Sequence, residues 1–296
     1  MRYVTYRRDG EMRLGAIADA RVVDLERASG GRLPLDMLGF LDAGESAWKL
    51  AKEIAQKSGV ESKPLSELKL VAPIPRPRRN IFALGLNYRD HVAEGARSRG
   101  EEVKYPPFPV YFTKAATCVI GPEEAVLIEP RVSDKVDWEG ELTIVIGKRG
   151  RNIAEEQAFD YVFGYTCGND VSARELQRRH GQWFKGKSLD TFAPIGPWIV
   201  DREEAGDPHT MRLQTRVNGV VKQDSNTSYF LFDIPKQISA LSQGMTLEPG
   251  DLIMTGTPEG VGYARTPPEF LHDGDILETE IERVGLLRNP IRERRE

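Results

Sequence analysis

The run Asp137-Trp138-Glu139-Gly140-Glu141-Leu142-Thr143-Ile144-Val145-Ile146 constrains the fold of this chain more than any other segment. Leu142, Ile144 and Ile146 alternate with Glu141, Thr143 and Val145, which is the two-residue period of a β-strand. Residues two apart on a strand face the same way, so Glu139 and Glu141 project side by side. Neighbouring carboxylates repel unless an opposite charge compensates them. In isolation such a pair is ordinarily a solvated strand face. On an otherwise apolar strand it points to a bound cation. Oxygen-only ligands select a hard cation, Mg2+ (or Mn2+ or Ca2+), over zinc.

The rest of the chain reads as α+β and β-rich. Short strands are expected over residues 3–6, 12–17 and 21–24, followed by helices over 36–43 and 47–56 with Gly44 between them. Pro73, Pro75 and Pro77 then form a stiff linker. This divides the chain into a small N-terminal α/β unit, residues 1–72, and a larger unit, residues 73–296. In the larger unit, strands are expected over 80–85, 110–114, 125–128, 142–146, 163–168, 252–255 and 276–281. A hairpin is expected over 212–222, turning at Asn218-Gly219. Helices are few: 154–158, 172–177 and 234–241. Mostly antiparallel strands with few helices imply folded-over sheets.

Composition removes several classes of function. The 296 residues carry a net charge of -4, so no basic surface argues for nucleic acid. The longest apolar runs are too short to span a bilayer, and the first residues lack the apolar core of a signal peptide. Cys118 and Cys167 have no metal-ligand spacing and read as buried small hydrophobes in a reducing compartment. A cytoplasmic location is the expectation.

Asp170 follows the strand 163–168 and precedes a helical pattern, where it could equally be a helix N-cap or a ligand aimed into a cleft. Glu139, Glu141 and Asp170 lie among motifs that occur in a recognisable order. These are Gly85-Leu86-Asn87-Tyr88-Arg89-Asp90-His91-Val92-Ala93-Glu94, Tyr111-Phe112-Thr113-Lys114, Asp137 to Glu141, and Asn169-Asp170-Val171-Ser172-Ala173-Arg174 to Gln177. Lys185-Gly186-Lys187-Ser188, Pro249-Gly250-Asp251 and Thr255 to Gly262 follow. In these motifs the chain resembles the fumarylacetoacetate hydrolase family, in its bacterial branch of acylpyruvate hydrolases, 2-hydroxyhepta-2,4-diene-1,7-dioate isomerases and oxaloacetate decarboxylases. The resemblance covers residues 78 to 285. It implies a mixed β-sandwich roll with a small N-terminal domain, and a homodimer.

The resemblance implies the following roles. Glu139, Glu141 and Asp170 hold the divalent metal. His91 and Glu94 activate water from a mobile lid. Lys187 sits by the metal and the substrate's enolate oxygen or C3, while Lys185 beside it is a solvated surface charge. Arg174, Gln177 and Thr257 meet the substrate, and Lys114 stands further back. The implied activity is hydrolysis of a carbon–carbon bond in a 2,4-dioxo acid, an acylpyruvate, in small-molecule catabolism. Water attacks C4, the C3–C4 bond breaks, and a pyruvate enolate and a carboxylic acid leave. Oxaloacetate decarboxylation and 2-hydroxydienoate isomerisation use the same metal–enolate site and stay open. A catalytically silent ligand-binding protein is a third reading, weakened by retention of the three carboxylates, the dyad and Lys187. Leu86 stands where several relatives carry a basic residue, which favours a larger or less anionic substrate. The segment 88–107 has little apolar content after Val92 and is expected to be loosely ordered.

Overall fold

A computed structural model describes residues 1–294. The last two residues of the expected larger unit, 295 and 296, lie outside the described residues. The chain opens with strands β1 (Arg2–Arg8), β2 (Glu11–Ala18) and β3 (Arg21–Asp24). Helix α1 (Met37–Ala55) joins the two expected helices into one element kinked at Gly44, whose φ of 71° interrupts the helical path. Short strand β4 (Ser62–Pro64) follows. Strand β5 (Ile81–Gly85), helix α2 (Arg89–Arg99) and strands β6 (Val110–Lys114) and β7 (Val126–Ile128) come next. The centre of the chain contributes β8 (Gly140–Ile146), β9 (Val162–Asn169), helices α3 (Arg174–Arg179) and α4 (Phe184–Lys187), and β10 (Ala193–Asp201). The hairpin β11 (Arg212–Val217) and β12 (Val220–Asn226), helix α5 (Ile234–Ser242) and strands β13 (Leu252–Met254), β14 (Ile276–Ile281) and β15 (Gly285–Glu293) complete it.

Two sheets carry the architecture. The larger runs β4-β3-β2-β1-β10-β9-β8-β13-β5-β6, and the smaller runs β12-β11-β14-β15-β7. Strand β1 pairs with β10, Tyr3 opposite Ile199, so the first strands and the body share one sheet. One face of that sheet packs on α1, with Tyr3 centred 5.1 Å from Phe40 and 5.4 Å from Phe163. On the other face Leu142, Ile144 and Ile146 pack with Leu213, Ile281 and Leu287 of the smaller sheet. Strand β8 is therefore covered on both sides, and all seven of its residues are buried. A solvated-face reading of the tandem glutamates is excluded by that position.

Strands β10 and β15 were not expected from the pattern. Pro194, Gly196 and Pro197 interrupt β10, and Pro290 interrupts β15. Proline supplies no ladder donor and usually argues against a strand interior. Here the register of β9 on β10 slips between Tyr165 and Cys167, opposite that Gly-Pro pair, and pairing resumes at Gly196. Among the described residues no helix is long and apolar enough to cross a membrane.

Candidate active site

The antiparallel register of β8 on β9 sets Gly140 opposite Asn169 and Glu141 opposite Gly168. One residue beyond the ladder, the Asp170 amide donates to the Glu139 carbonyl at 2.8 Å. Three carboxylates thus meet at the end of two paired strands. Glu139, Glu141 and Asp170 each offer an oxygen, and these oxygens lie within 4.8 Å of one another. All three residues are buried. Asp170 does not cap the following helix: α3 begins at Arg174 after Ala173, with no side-chain cap. The helix expected from residue 172 is thereby shortened, because Ser172 and Ala173 pair with residues 136 and 137 instead.

Most of the carboxylate oxygens have cationic partners. Lys187 Nζ lies 2.7 Å from Glu139 Oε2 and 2.7 Å from Asp170 Oδ2. Lys114 Nζ donates to Asp170 Oδ1 at 2.5 Å and also to the backbone carbonyl of Lys187. Arg174 reaches Glu139 Oε1 at 2.7 Å and Asp137 at 2.8 Å. Burial alone would raise the Glu139 carboxyl, but Lys187, Arg174 and His91 outweigh it and hold Glu139 well below the usual range. Burial also opposes the charge on Lys187, yet Asp170 and Glu139 keep its ammonium protonated above the usual range.

Glu141 differs. Its Oε2 accepts the Gly256 amide at 2.7 Å, and its buried Oε1 has no partner. Burial, then the charges of Asp170 and Glu139, push its carboxyl well above the usual 4.5. Gly256 is required at its position, with φ at +95° and the Asn87 Cβ 2.8 Å from where a β-carbon would sit. With all groups ionised, four buried carboxylates (Asp137, Glu139, Glu141, Asp170) face three buried cations (Lys114, Arg174, Lys187). The excess negative charge, the orphaned Glu141 oxygen and the oxygen-only donor set fit a hard divalent cation.

The other expected residues surround this cluster. His91, Arg174, Gln177, Lys187 and Thr257 line one cavity of about 410 Å³ with Glu139 at its base. Glu94 stands behind His91, with His91 Nδ1 to Glu94 Oε2 at 3.6 Å, longer than a hydrogen bond. Glu94 Oε1 accepts the Gly260 amide at 2.9 Å and so ties α2 to the loop that carries Thr257. Gln177 accepts from Arg174 at 3.0 Å. The Thr257 hydroxyl donates to the Gly140 carbonyl at 3.0 Å. Lys185 is exposed. Within the segment 88–107, Arg89–Arg99 form a helix that buries His91, Val92, Gly95 and Ala96, while residues 101–106 have no regular structure. Few apolar residues suffice because they share one helical face, and Tyr88 at its start packs edge-on to Phe230 with ring centroids 5.0 Å apart.

Several further residues, to which the sequence analysis assigned no role, complete the site. Asp137 is fully buried and accepts from the amides of Trp138, Gly262 and Tyr263 as well as from Arg174. Gln223, from the smaller sheet, accepts the Gly140 amide at 2.9 Å and donates to the Thr257 hydroxyl at 2.7 Å. Asn169 accepts the Glu139 amide at 3.0 Å. Trp183, readable from the sequence as either core or pocket wall, packs edge-on to Phe112 and lines the cavity beside Leu86.

Comparison with known proteins places these features. A family profile described as fumarylacetoacetate (FAA) hydrolase C-terminal matches residues 80–292. Oxaloacetate tautomerase YisK of Bacillus subtilis is 41% identical over 304 residues, covering 98% of this chain and 100% of that protein. The fumarylacetoacetate hydrolase from Exiguobacterium antarcticum superposes with a TM-score of 0.83 at 36% identity, covering 99% of this chain and 100% of that one. Maleylpyruvate hydrolase from Sphingobium sp. SYK-6, solved with manganese(II) and pyruvate, gives a TM-score of 0.80 at 29% identity, with 100% of both chains covered. The buried carboxylates thus sit in a fold shared along the whole chain, and the protein belongs to the fumarylacetoacetate hydrolase family.

Proposed function

We propose that this protein is a divalent-metal-dependent enzyme acting on 2-oxo acids through their enol form, and that its reaction is the keto–enol tautomerisation of oxaloacetate. The observation that carries the reading is the single cavity holding His91 and Lys187 over the Glu139–Glu141–Asp170 cluster, in a chain 41% identical to an oxaloacetate tautomerase over that protein's full length. This departs from acylpyruvate hydrolysis as the first expectation and moves toward the rival reactions that share its enol chemistry.

Glu139, Glu141 and Asp170 would hold the cation, Mg2+ or Mn2+. Bound there, it would supply Lewis-acid stabilisation of the negative charge that develops on the substrate's 2-oxygen. The chain's own residues do the rest. His91 takes the proton from C3 and returns it, with Glu94 orienting the imidazole. Lys187, kept charged by Glu139 and Asp170, holds both carboxylates in place and presents its ammonium to the cavity. Arg174 and Gln177 fix the substrate carboxylate, and the Thr257 hydroxyl completes that wall. A proton leaves C3 as another reaches the 2-oxygen, so no water is consumed.

Acylpyruvate hydrolysis is kept as a second reading because the His91–Glu94 dyad and the similarity to maleylpyruvate hydrolase favour it. Here the same dyad would deprotonate an attacking water. The homodimer is part of the proposal and is supported by the half-exposed apolar residues Leu68, Leu70, Trp198 and Leu286 around one broad groove. The deciding assay follows ultraviolet absorbance of the enol of oxaloacetate, with Mg2+ and then with a chelator, beside pyruvate release from acetylpyruvate. Chelator-sensitive decay of the enol is expected. Acetylpyruvate cleavage with the higher kcat/KM by about tenfold, or 1.4 kcal/mol, would hand the assignment to the hydrolase.

A further inference from the structure

The cavity has a cation at its mouth that neither the carboxylate cluster nor the proposed chemistry uses. Arg178 lines the cavity one helical turn after Arg174. Arg174 is turned inward, tied to Asp137, Glu139 and Gln177. Arg178 has no carboxylate partner among the described residues and rests on the ring of Tyr263, 5.6 Å from its centroid. Arg174 lies over the same ring at 4.5 Å, so Tyr263 spaces the two guanidiniums and fixes the outer one at the rim.

The lid helix meets this rim. A β-carbon on Gly95 would touch the Tyr263 hydroxyl at 3.0 Å and Arg99 Nη1 at 3.2 Å. Glycine is therefore what lets α2 seat against Tyr263 and bring Arg99 to the cavity, which Arg99 also lines. The opposite wall is uncharged, formed by Leu84, Leu86, Phe112 and Trp183. Leu86 is held at φ 59° there by its neighbour Asn87, whose side chain bonds Thr255 and Phe232.

Charge balance gives the rim a purpose. The inner cluster has one excess negative charge, and a dication turns that into one excess positive charge. The 1-carboxylate of a chelating substrate neutralises it. A second carboxylate on the substrate would then face uncompensated charge unless a further cation met it.

We propose that Arg178, held on Tyr263 and faced by Arg99 from the lid helix, is the receptor for a second substrate carboxylate and makes the site selective for dicarboxylic 2-oxo acids. The inference deepens the oxaloacetate reading and rests on it for the reaction, but not for binding. Arg178 replaces, from the opposite side of the mouth, the positive charge that Leu86 does not supply.

The test compares wild type with Arg178→Gln by calorimetry on the Mn2+-loaded protein, using lactate and malate. Both are 2-hydroxy acids, and malate adds the second carboxylate. Wild type should prefer malate by about tenfold or more, and Arg178→Gln should reduce that preference to about twofold with lactate binding unchanged. Arg178→Lys should keep part of the preference, because it retains the charge but not the planar fork. In turnover, KM for oxaloacetate should rise about tenfold in Arg178→Gln, while KM for the monocarboxylic phenylpyruvate enol and both kcat values stay near wild type. An unchanged malate preference in Arg178→Gln overturns the proposal even if the enzyme is a tautomerase. Absence of any tautomerisation in wild type defeats the functional reading, while loss of the malate preference in the variant still supports the carboxylate receptor.

Discussion

The Asp170 amide donates to the Glu139 carbonyl at 2.8 Å, one step beyond the last paired residues of β8 and β9. That bond brings together two carboxylates thirty-one positions apart in the sequence. Lys187 then bridges their side chains, 2.7 Å from each. A one-residue slip of the two strands would turn the strand's side chains to the other face of the sheet. The apolar alternation of Leu142, Ile144 and Ile146 against the smaller sheet fixes the register, so the core itself holds the site in geometry.

Replacement of Glu141 separates stability from activity. Glu141 is buried between like charges with one oxygen unpartnered. Glu141→Gln should abolish metal-dependent turnover. In the absence of metal it should melt at or above the temperature of wild type, because it relieves repulsion between carboxylates. Mn2+ should raise the melting temperature of wild type and leave the variant where it was. A Mn2+-induced rise of equal size in both proteins would remove Glu141 from the ligand set.

Metal affinity should depend on pH with a definite sign. Burial first, then Asp170 and Glu139, raise the Glu141 carboxyl above its usual 4.5 in the folded, metal-free protein. The proton it gains on folding stabilises that protein fully below 4.5, and this contribution is lost as pH rises toward the folded value. A cation competes with that proton. Apparent affinity for Mn2+ should therefore climb with pH by up to about tenfold per unit until the folded value is passed. Titrations at several pH values, with proton release followed in weak buffer, test this; affinity independent of pH across the range contradicts it.

His91 divides the two candidate reactions. If His91 transfers the C3 proton, His91→Ala should lower tautomerisation by about 10²- to 10⁴-fold. Glu94→Gln should cost less, because Glu94 only orients the ring and anchors the lid at Gly260. Steady-state rates on oxaloacetate and acetylpyruvate measure both. A histidine variant that loses only acetylpyruvate cleavage would make His91 the activator of water and favour the hydrolase.

Far from the cavity, Asp24 offers an acid-stability prediction. Arg13 contacts it at 2.5 Å and 2.9 Å, and the Tyr6 hydroxyl donates to it at 2.7 Å. Burial raises its carboxyl, but Arg13, Tyr6 and the Arg27 amide prevail and hold it below 3.8. Its contribution is present above 3.8 and lost as pH falls through the lower folded value. Asp24→Asn should lower stability near neutral pH, because Arg13 loses its bidentate partner and keeps only Glu26 at 2.7 Å as a close one. Denaturant melts should show that cost shrinking as the pH falls below 3.8.

Local chemistry made much of this protein legible before any coordinates. Alternation announced β8, Asn218-Gly219 announced its hairpin, and Glu139, Glu141 and Asp170 lay in motifs whose order marked the family. Prolines hid β10 and β15, since the periodicity that signals a strand is lost where Pro197 and Pro290 interrupt it. Apolar content alone did not reveal α2, whose few apolar residues share one helical face against Tyr88 and the loop at Gly260.

Spacing and residue type were enough for the carboxylate pair, because residues two apart on a strand share a face wherever that strand lies. They could not say that the strand is buried on both sides, and burial is what turns two solvated glutamates into a charge demanding a cation. Nor could they show what Lys114, Asp137, Gln223 or Arg178 touch, since their roles depend on partners 34 to 126 positions away or on the wall they face. Packing of two sheets and a lid converts such distant residues into neighbours. Coulomb interaction and hydrogen bonding act over a few ångströms of space, not of sequence, so that part of the site belongs to the tertiary structure alone.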